Sequence, residues 1–177
     1  MNKKIFALFC LLLAINSRAT LPIVGAVLEI GSGSLAYGDY GTGIVRITPF
    51  AGVWIDGIGF ARFGVSTDSQ KEQNDLGESK ELKRLDFSTQ IGISALGPAF
   101  PYIGVSYVRA GSYSQSNDAK WNEWGLGFGH RFVLSPLASI VVEAEHRWVA
   151  KHYDRLREAY VSGRRLQMNF GLVANLF

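Results

Sequence analysis

Apolar side chains recur at every second position along most of this chain, with polar or small residues between them. From Leu82 to Ser94 one phase holds Leu85, Phe87, Thr89, Ile91 and Ile93, and the other holds Arg84, Asp86, Ser88, Gln90 and Gly92. That period of two is the mark of a strand with one apolar and one polar face, and a helix would scatter the same residues around its circumference. The pattern repeats from Trp124 to Leu134, where Gly125, Gly127, Gly129 and Arg131 fill the second phase, with His130 as the exception on the apolar one. It returns from Ile140 to Ala150, opposite Glu143, Glu145 and Arg147, and from Leu166 to Leu176, opposite Gln167, Asn169, Gly171, Val173 and Asn175. Four segments of weaker contrast, at about 23–36, 43–55, 58–68 and 101–114, bring the expected strands to eight. Pro49 removes a ladder donor inside the second, so a bulge is expected there.

The connections alternate in length. Asp56-Gly57 is a hairpin signal of the type I′ kind, and Gly97-Pro98-Ala99-Phe100-Pro101 and Ser135-Pro136-Leu137 are compact turns. Longer polar stretches fall between them, at about 37–42, 69–81, 115–120 and 153–163. With eight strands, all short turns lie at one end and all long loops at the other, which is the asymmetry of transmembrane barrels with short periplasmic turns and long external loops. The expected fold is therefore an all-β, eight-stranded antiparallel up-and-down transmembrane barrel.

The first stretch changes the charge balance. Lys3 and Lys4, an apolar run from Ile5 to Ile15, and Ser17-Arg18-Ala19 read as a secretory signal cut after Ala19. Its run of about eleven residues is well short of the ~20 that a helical span requires. Without residues 1–19 the chain is one domain, 20–177, with no cysteine, because Cys10 leaves with the signal. Lys plus Arg drops from 18 to 15 against 15 acids, so the net charge of +3 becomes zero. A nucleic-acid partner loses its main argument with that surplus.

The polar phase separates a membrane barrel from a soluble one. Glu29, Arg46, Arg62, Arg84, Asp86, Glu123, Arg131, Glu143, Glu145 and Arg147 lie near strand middles in both signs, and every base among them is Arg. A solvated face would carry Lys. Buried charges must pair to offset desolvation, and the planar guanidinium suits such pairing. These ten are the expected interior charge network. Trp54, Tyr102, Trp121, Trp148 and Tyr153, near strand ends, are expected in aromatic girdles at the lipid interfaces.

The signal, the eight amphipathic strands and the ending Asn169-Phe170-Gly171-Leu172-Val173-Ala174-Asn175-Leu176-Phe177 resemble the small eight-stranded bacterial outer-membrane barrels, of the kind formed by the OmpA transmembrane domain and OmpX. The resemblance implies a Gram-negative outer-membrane location, and recognition by the barrel-assembly machinery through Phe170, Gly171, Leu176 and Phe177. No cofactor is expected, and the barrel is expected to be a monomer. The resemblance also brings the lipid A deacylases into consideration, whose recognisable piece is a His-x-Ser in a late strand. The corresponding residues here are His146-Arg147-Trp148 and His152-Tyr153-Asp154, so that motif is not found and no enzyme is expected.

His146 and His152 share a phase but stand roughly 20 Å apart along an extended strand, too far to hold one metal ion together. Eight strands enclose only enough room for side chains, which argues against a wide pore. The three glycines of the sixth strand leave room for bulky inward groups opposite, or for a small cavity. Function then falls to the external loops. Lys151, Arg155, Arg157, Arg164 and Arg165 form a basic rim that would contact outer-membrane lipid and lipopolysaccharide phosphates. The reading is a structural or interaction barrel. A narrow passage for a small or hydrophobic solute and a deacylase-like lipid-modifying enzyme are the alternatives.

Overall fold

The computed structural model describes residues 20–35, 41–55, 57–73, 79–94, 101–112, 120–154 and 159–176. Eight antiparallel strands, β1 (Thr20–Leu35), β2 (Gly41–Ile55), β3 (Gly59–Gln73), β4 (Ser79–Ile93), β5 (Tyr102–Ser112), β6 (Lys120–Ser135), β7 (Ala138–Asp154) and β8 (Ala159–Asn175), follow one another around a closed barrel. The seam closes between β1 and β8, with Val27 opposite Gly171 and Glu29 opposite Asn169. The signal-like stretch, the 97–100 turn and Phe177 lie outside the described residues.

Alternation decides which way each side chain looks. In β6, Trp124, Leu126 and Phe128 are 56%, 50% and 59% exposed, while Glu123, Gly125, Gly127 and Gly129 between them are buried. Val45, Ile47, Phe63, Ile93, Ile103 and Leu172 likewise face outward. The apolar phase is therefore the outer surface and the polar phase the interior, the reverse of a water-soluble barrel. No edge is left exposed at the seam, because closure pairs the first strand with the last.

The strands run further than the apolar alternation does. β3 and β4 continue to Gln73 and from Ser79, and β7 and β8 to Asp154 and from Ala159, so strand takes up most of the expected 69–81 and 153–163 loops. Their ends at Lys71, Glu72, Lys80 and Glu81 remain paired in the ladder. Polar residues on both phases erase the period-two signal there without weakening the backbone hydrogen bonds.

The short-turn end is tight. Ile58 N–H donates to Ile55 O at 3.1 Å across the β2–β3 turn, with Gly57 at φ +68°, a region open to glycine at little cost. Pro136 and Leu137 alone join β6 to β7, where the register shifts between Val133 and Ser135.

Pro49 acts differently from the expected bulge. Its register with β1 is continuous through Ala26, but the β2–β3 ladder stops at Phe50 opposite Gly64. The Pro49 carbonyl lies on the Gly64 side, 3.3 Å from where a Cβ there would stand. In an antiparallel ladder a residue's N–H and C=O point the same way, so the donor missing at Pro49 is one owed to β3. Beyond it both strands continue, each paired only with its other neighbour.

A second irregularity reorients the loop end of β7. Val149 pairs with Gly163 but His152 pairs with Val161, so β7 carries one extra residue. The bulge reverses the phase, turning Lys151 and Tyr153 outward and His152 inward. His146 and His152 therefore no longer share a face.

Candidate functional site

The interior is divided into two layers. Toward the loop end it holds a continuous chain of ion pairs. Arg165 Nη2 donates to Glu123 Oε2, and Arg84 Nη2 reaches Glu123 Oε1 at 2.8 Å. Arg84 Nε donates to Asp86 Oδ1 at 2.7 Å, and Asp86 also accepts from Arg46 Nη1. Arg46 Nε then donates to Glu29 Oε2 at 2.7 Å, where Arg147 Nη1 also stands at 3.7 Å. Arg147 Nη2 closes the run on Glu145 Oε2 at 2.9 Å. Neutral donors complete the carboxylates: Thr48 on Glu29 at 2.8 Å, Trp121 Nε1 on Glu123 at 2.9 Å, Ser106 on Glu145, and Gln167 on Glu145 at 3.0 Å. Glu143 ends the network, accepting from Gln90 at 2.7 Å, Tyr102 at 2.9 Å, Asn169 at 2.7 Å and Arg62 at 3.3 Å.

Toward the short turns the lumen becomes aromatic. Trp54 and Phe60 stack with ring centroids 5.4 Å apart, and Phe60 meets Tyr102 edge-on at 4.8 Å. Ile23, Val27, Phe50, Val141 and Val173 surround them. This layer lies across the barrel axis as a plug.

The structure places all ten sequence-predicted charges on the interior face, Arg62 with a side chain 11% exposed and the others buried more deeply. Nine belong to the network through carboxylate contacts. Arg131 stands apart, donating to Ser139 Oγ at 3.0 Å and Asn175 Oδ1 at 2.6 Å and lying 4.6 Å from the Trp54 ring centroid. The glycine wall of β6 holds the bulky groups opposite. A Cβ at Gly125 would collide with the Glu145 carboxylate and Ser106, and one at Gly129 with the Tyr102 ring.

Three girdle residues and one rim residue fall elsewhere than expected. Trp54 and Tyr102 are inside, 3% and 1% exposed, as plug members. Trp121 faces the network, under the Arg84 guanidinium at 5.0 Å and stacked on His152 at 4.6 Å. Each shares the inward parity of its strand: Trp54 follows Arg46 and Thr48, and Trp121 precedes Glu123. Nearness to a strand end misled where parity would have decided. Arg165 is buried on Glu123 and not on the rim, for the same reason: β8 begins before Leu166, and Arg165 keeps the phase of Gln167 and Asn169.

The remaining described girdle and rim residues look outward. Tyr107, Trp124 and Trp148 lie side by side across β5, β6 and β7, followed by Tyr153 against Tyr160 at 5.3 Å. Lys151 and Arg164 are exposed among them, with Lys151 Nζ 5.2 Å from the Tyr160 ring and Arg164 opposite Trp148. Arg155 and Arg157 lie outside the described residues. Phe170 and Leu176 face outward and Gly171 inward against Val27.

Comparison with solved structures follows this geometry closely in architecture. Neisserial surface protein A matches with a TM-score of 0.54 at 15% identity, over 88% of this chain and 97% of that one. The outer-membrane protein AlkL, solved in lipid bilayers, matches with a TM-score of 0.52 at 12% identity, over 90% of this chain and 92% of that one. The fold is that of the small eight-stranded outer-membrane barrels. No protein-family model matches the chain, and no curated protein matches it in sequence.

Proposed function

We propose that the protein is a sealed, monomeric barrel of a Gram-negative outer membrane, with its short turns toward the periplasm, and that it works through its outer rim rather than through its lumen. One observation carries the reading: apolar side chains look outward on every strand while ions and aromatics fill the interior. Such an outer surface needs lipid around it. A water-exposed surface with Phe63, Leu172 and Ile47 all more than 60% exposed would associate without limit.

The rim reading rests on placement. Lys151 and Arg164 stand on the outer wall beside Trp148, Tyr153 and Tyr160, where an aromatic girdle meets the polar headgroups. Bases at that height reach lipopolysaccharide phosphates, and the sequence between β7 and β8 adds Arg155 and Arg157. The proposal makes the protein an interaction barrel, neither a channel nor an enzyme. The aromatic plug opposes a solute passage. The His146-Arg147-Trp148 sequence supplies no serine beside the histidine for a deacylase.

Fractionation and a gel of boiled and unboiled samples test the location. The folded barrel is expected in the outer membrane with heat-shifted mobility, and a detergent-free soluble monomer would overturn the reading. Replacing Lys151, Arg155, Arg157 and Arg164 together by Gln is expected to reduce lipopolysaccharide co-purification. Unchanged co-purification removes the rim from the proposal. Liposome flux above that of empty vesicles would favour a passage, and lipid A altered in mass only in expressing cells would favour an enzyme.

A further inference from the structure

Among the described side chains, six arginines and five carboxylates point into the lumen, the sixth arginine being the inward-facing Arg165. The network pairs all of these except Arg131. That guanidinium is 3% exposed, its two side-chain acceptors are the neutral Ser139 and Asn175, and none of the described carboxylates stands within ion-pair reach. A buried, uncompensated cation is costly, and a counter-charge is the usual remedy.

A small cavity lies beside it. Arg131, Arg62, Trp54, Tyr102 and Phe60 are in its wall, and the free space is about that of one water-sized particle. The polar hydrogens of this wall belong to donors. Arg131 and Arg62 offer guanidinium N–H groups, and the Trp54 Nε1–H is buried with no hydrogen-bond partner. The Tyr102 hydroxyl hydrogen is already committed to Glu143. The rest of the wall is apolar, including Ile23, Val141 and Val173. A water molecule placed here could donate to the Tyr102 oxygen, but it would leave the Arg131 charge uncompensated. A cation would meet like charge.

We infer that this cavity at the short-turn end is a binding site for a small monovalent anion of halide size, held by Arg131 and the Trp54 indole N–H with Arg62 nearby. The anion supplies the counter-charge that none of the described carboxylates gives Arg131, and it satisfies the orphaned indole donor. The rings of Trp54, Phe60 and Tyr102 line the site, so the ion is a structural part of the barrel floor. An organic carboxylate does not fit, because the space is about that of one water-sized particle.

Chloride is the probe. The refolded full barrel, in an uncharged maltoside detergent, is titrated with sodium chloride at constant ionic strength set by sodium gluconate, whose anion is too bulky for the cavity. A saturable excess broadening of the chloride NMR line over a detergent blank is expected, together with a higher urea midpoint in chloride than in gluconate. Arg131→Gln is expected to abolish both effects. Trp54→Phe keeps the ring and removes the donor, and should weaken chloride affinity about tenfold, the scale of one hydrogen bond to a charged group. Arg109→Gln, on an exposed arginine of the outer wall, should leave both signals intact. If Arg131→Gln does not fold, Trp54→Phe alone decides. Broadening no greater than the blank, or broadening that survives Trp54→Phe at full affinity, overturns the site. Neither result bears on the outer-rim proposal, which is tested by location and lipopolysaccharide association.

Discussion

Glu123 is the point at which the ionic layer is most exposed to a single change. Its carboxylate is completely buried and accepts from Arg84, Arg165 and the Trp121 indole. Replacing it with Gln keeps the volume and removes the charge. Arg84 retains Asp86 at 2.6 Å, but Arg165 has no second carboxylate partner among the described residues and becomes a buried cation without compensation. Breaking a buried pair on one side costs about 3–5 kcal/mol, or roughly two to four powers of ten in the folded ratio. Removing both members should be far milder. Glu123→Leu with Arg165→Met replaces the pair by hydrocarbon, leaves Arg84 on Asp86, and should fall within about 1 kcal/mol of the parent. The assay is urea unfolding of the refolded barrel in lipid vesicles, followed by tryptophan fluorescence and by mobility on unboiled gels. A Glu123→Gln variant within about 0.5 kcal/mol of the parent would refute the account. So would a double variant as unstable as the single one, because the loss would then reside in packing rather than in an abandoned charge.

Three further outcomes test the wall and the plug. Gly125→Val should destabilise the barrel by about 1–3 kcal/mol or block its folding, since the new side chain displaces the Glu145 carboxylate and Ser106; refolding yield on unboiled gels reads this directly. Pro49→Val restores the donor owed to β3, and hydrogen exchange should show new protection in residues 45–49, with no change at residues 50–55. Tyr102→Phe leaves Glu143 with three donors instead of four and should cost about 1–2 kcal/mol in the same urea assay, with the ring contact to Phe60 retained.

Strand parity, together with the charges on the polar phase, assigns the faces of most of this barrel. In β4, β6 and β8 the alternation of bulky apolar with charged or small residues names every inward and outward position from Arg84 to Ser94, from Glu123 to Arg131 and from Leu166 to Leu176. Parity also holds the answers for Trp54, Tyr102, Trp121 and Arg165, for which distance from the strand ends points to the interfaces instead. What the local pattern could not contain is anything that depends on how one strand meets another. The extra residue between Val149 and His152 reverses the phase of β7, and no composition signal marks it. The end of the β2–β3 ladder at Phe50 depends on which neighbour Pro49 faces, a matter of register. Partner choice belongs to closure as well: Arg46 reaches Asp86 forty residues away, and Arg62 reaches Glu143 eighty-one residues away, because the curved sheet brings their side chains to one axis. Alternation is a property of successive residues and is written along the chain. Charge pairing inside the cylinder, including the arginine that none of the described carboxylates meets, is a property of all eight strands together.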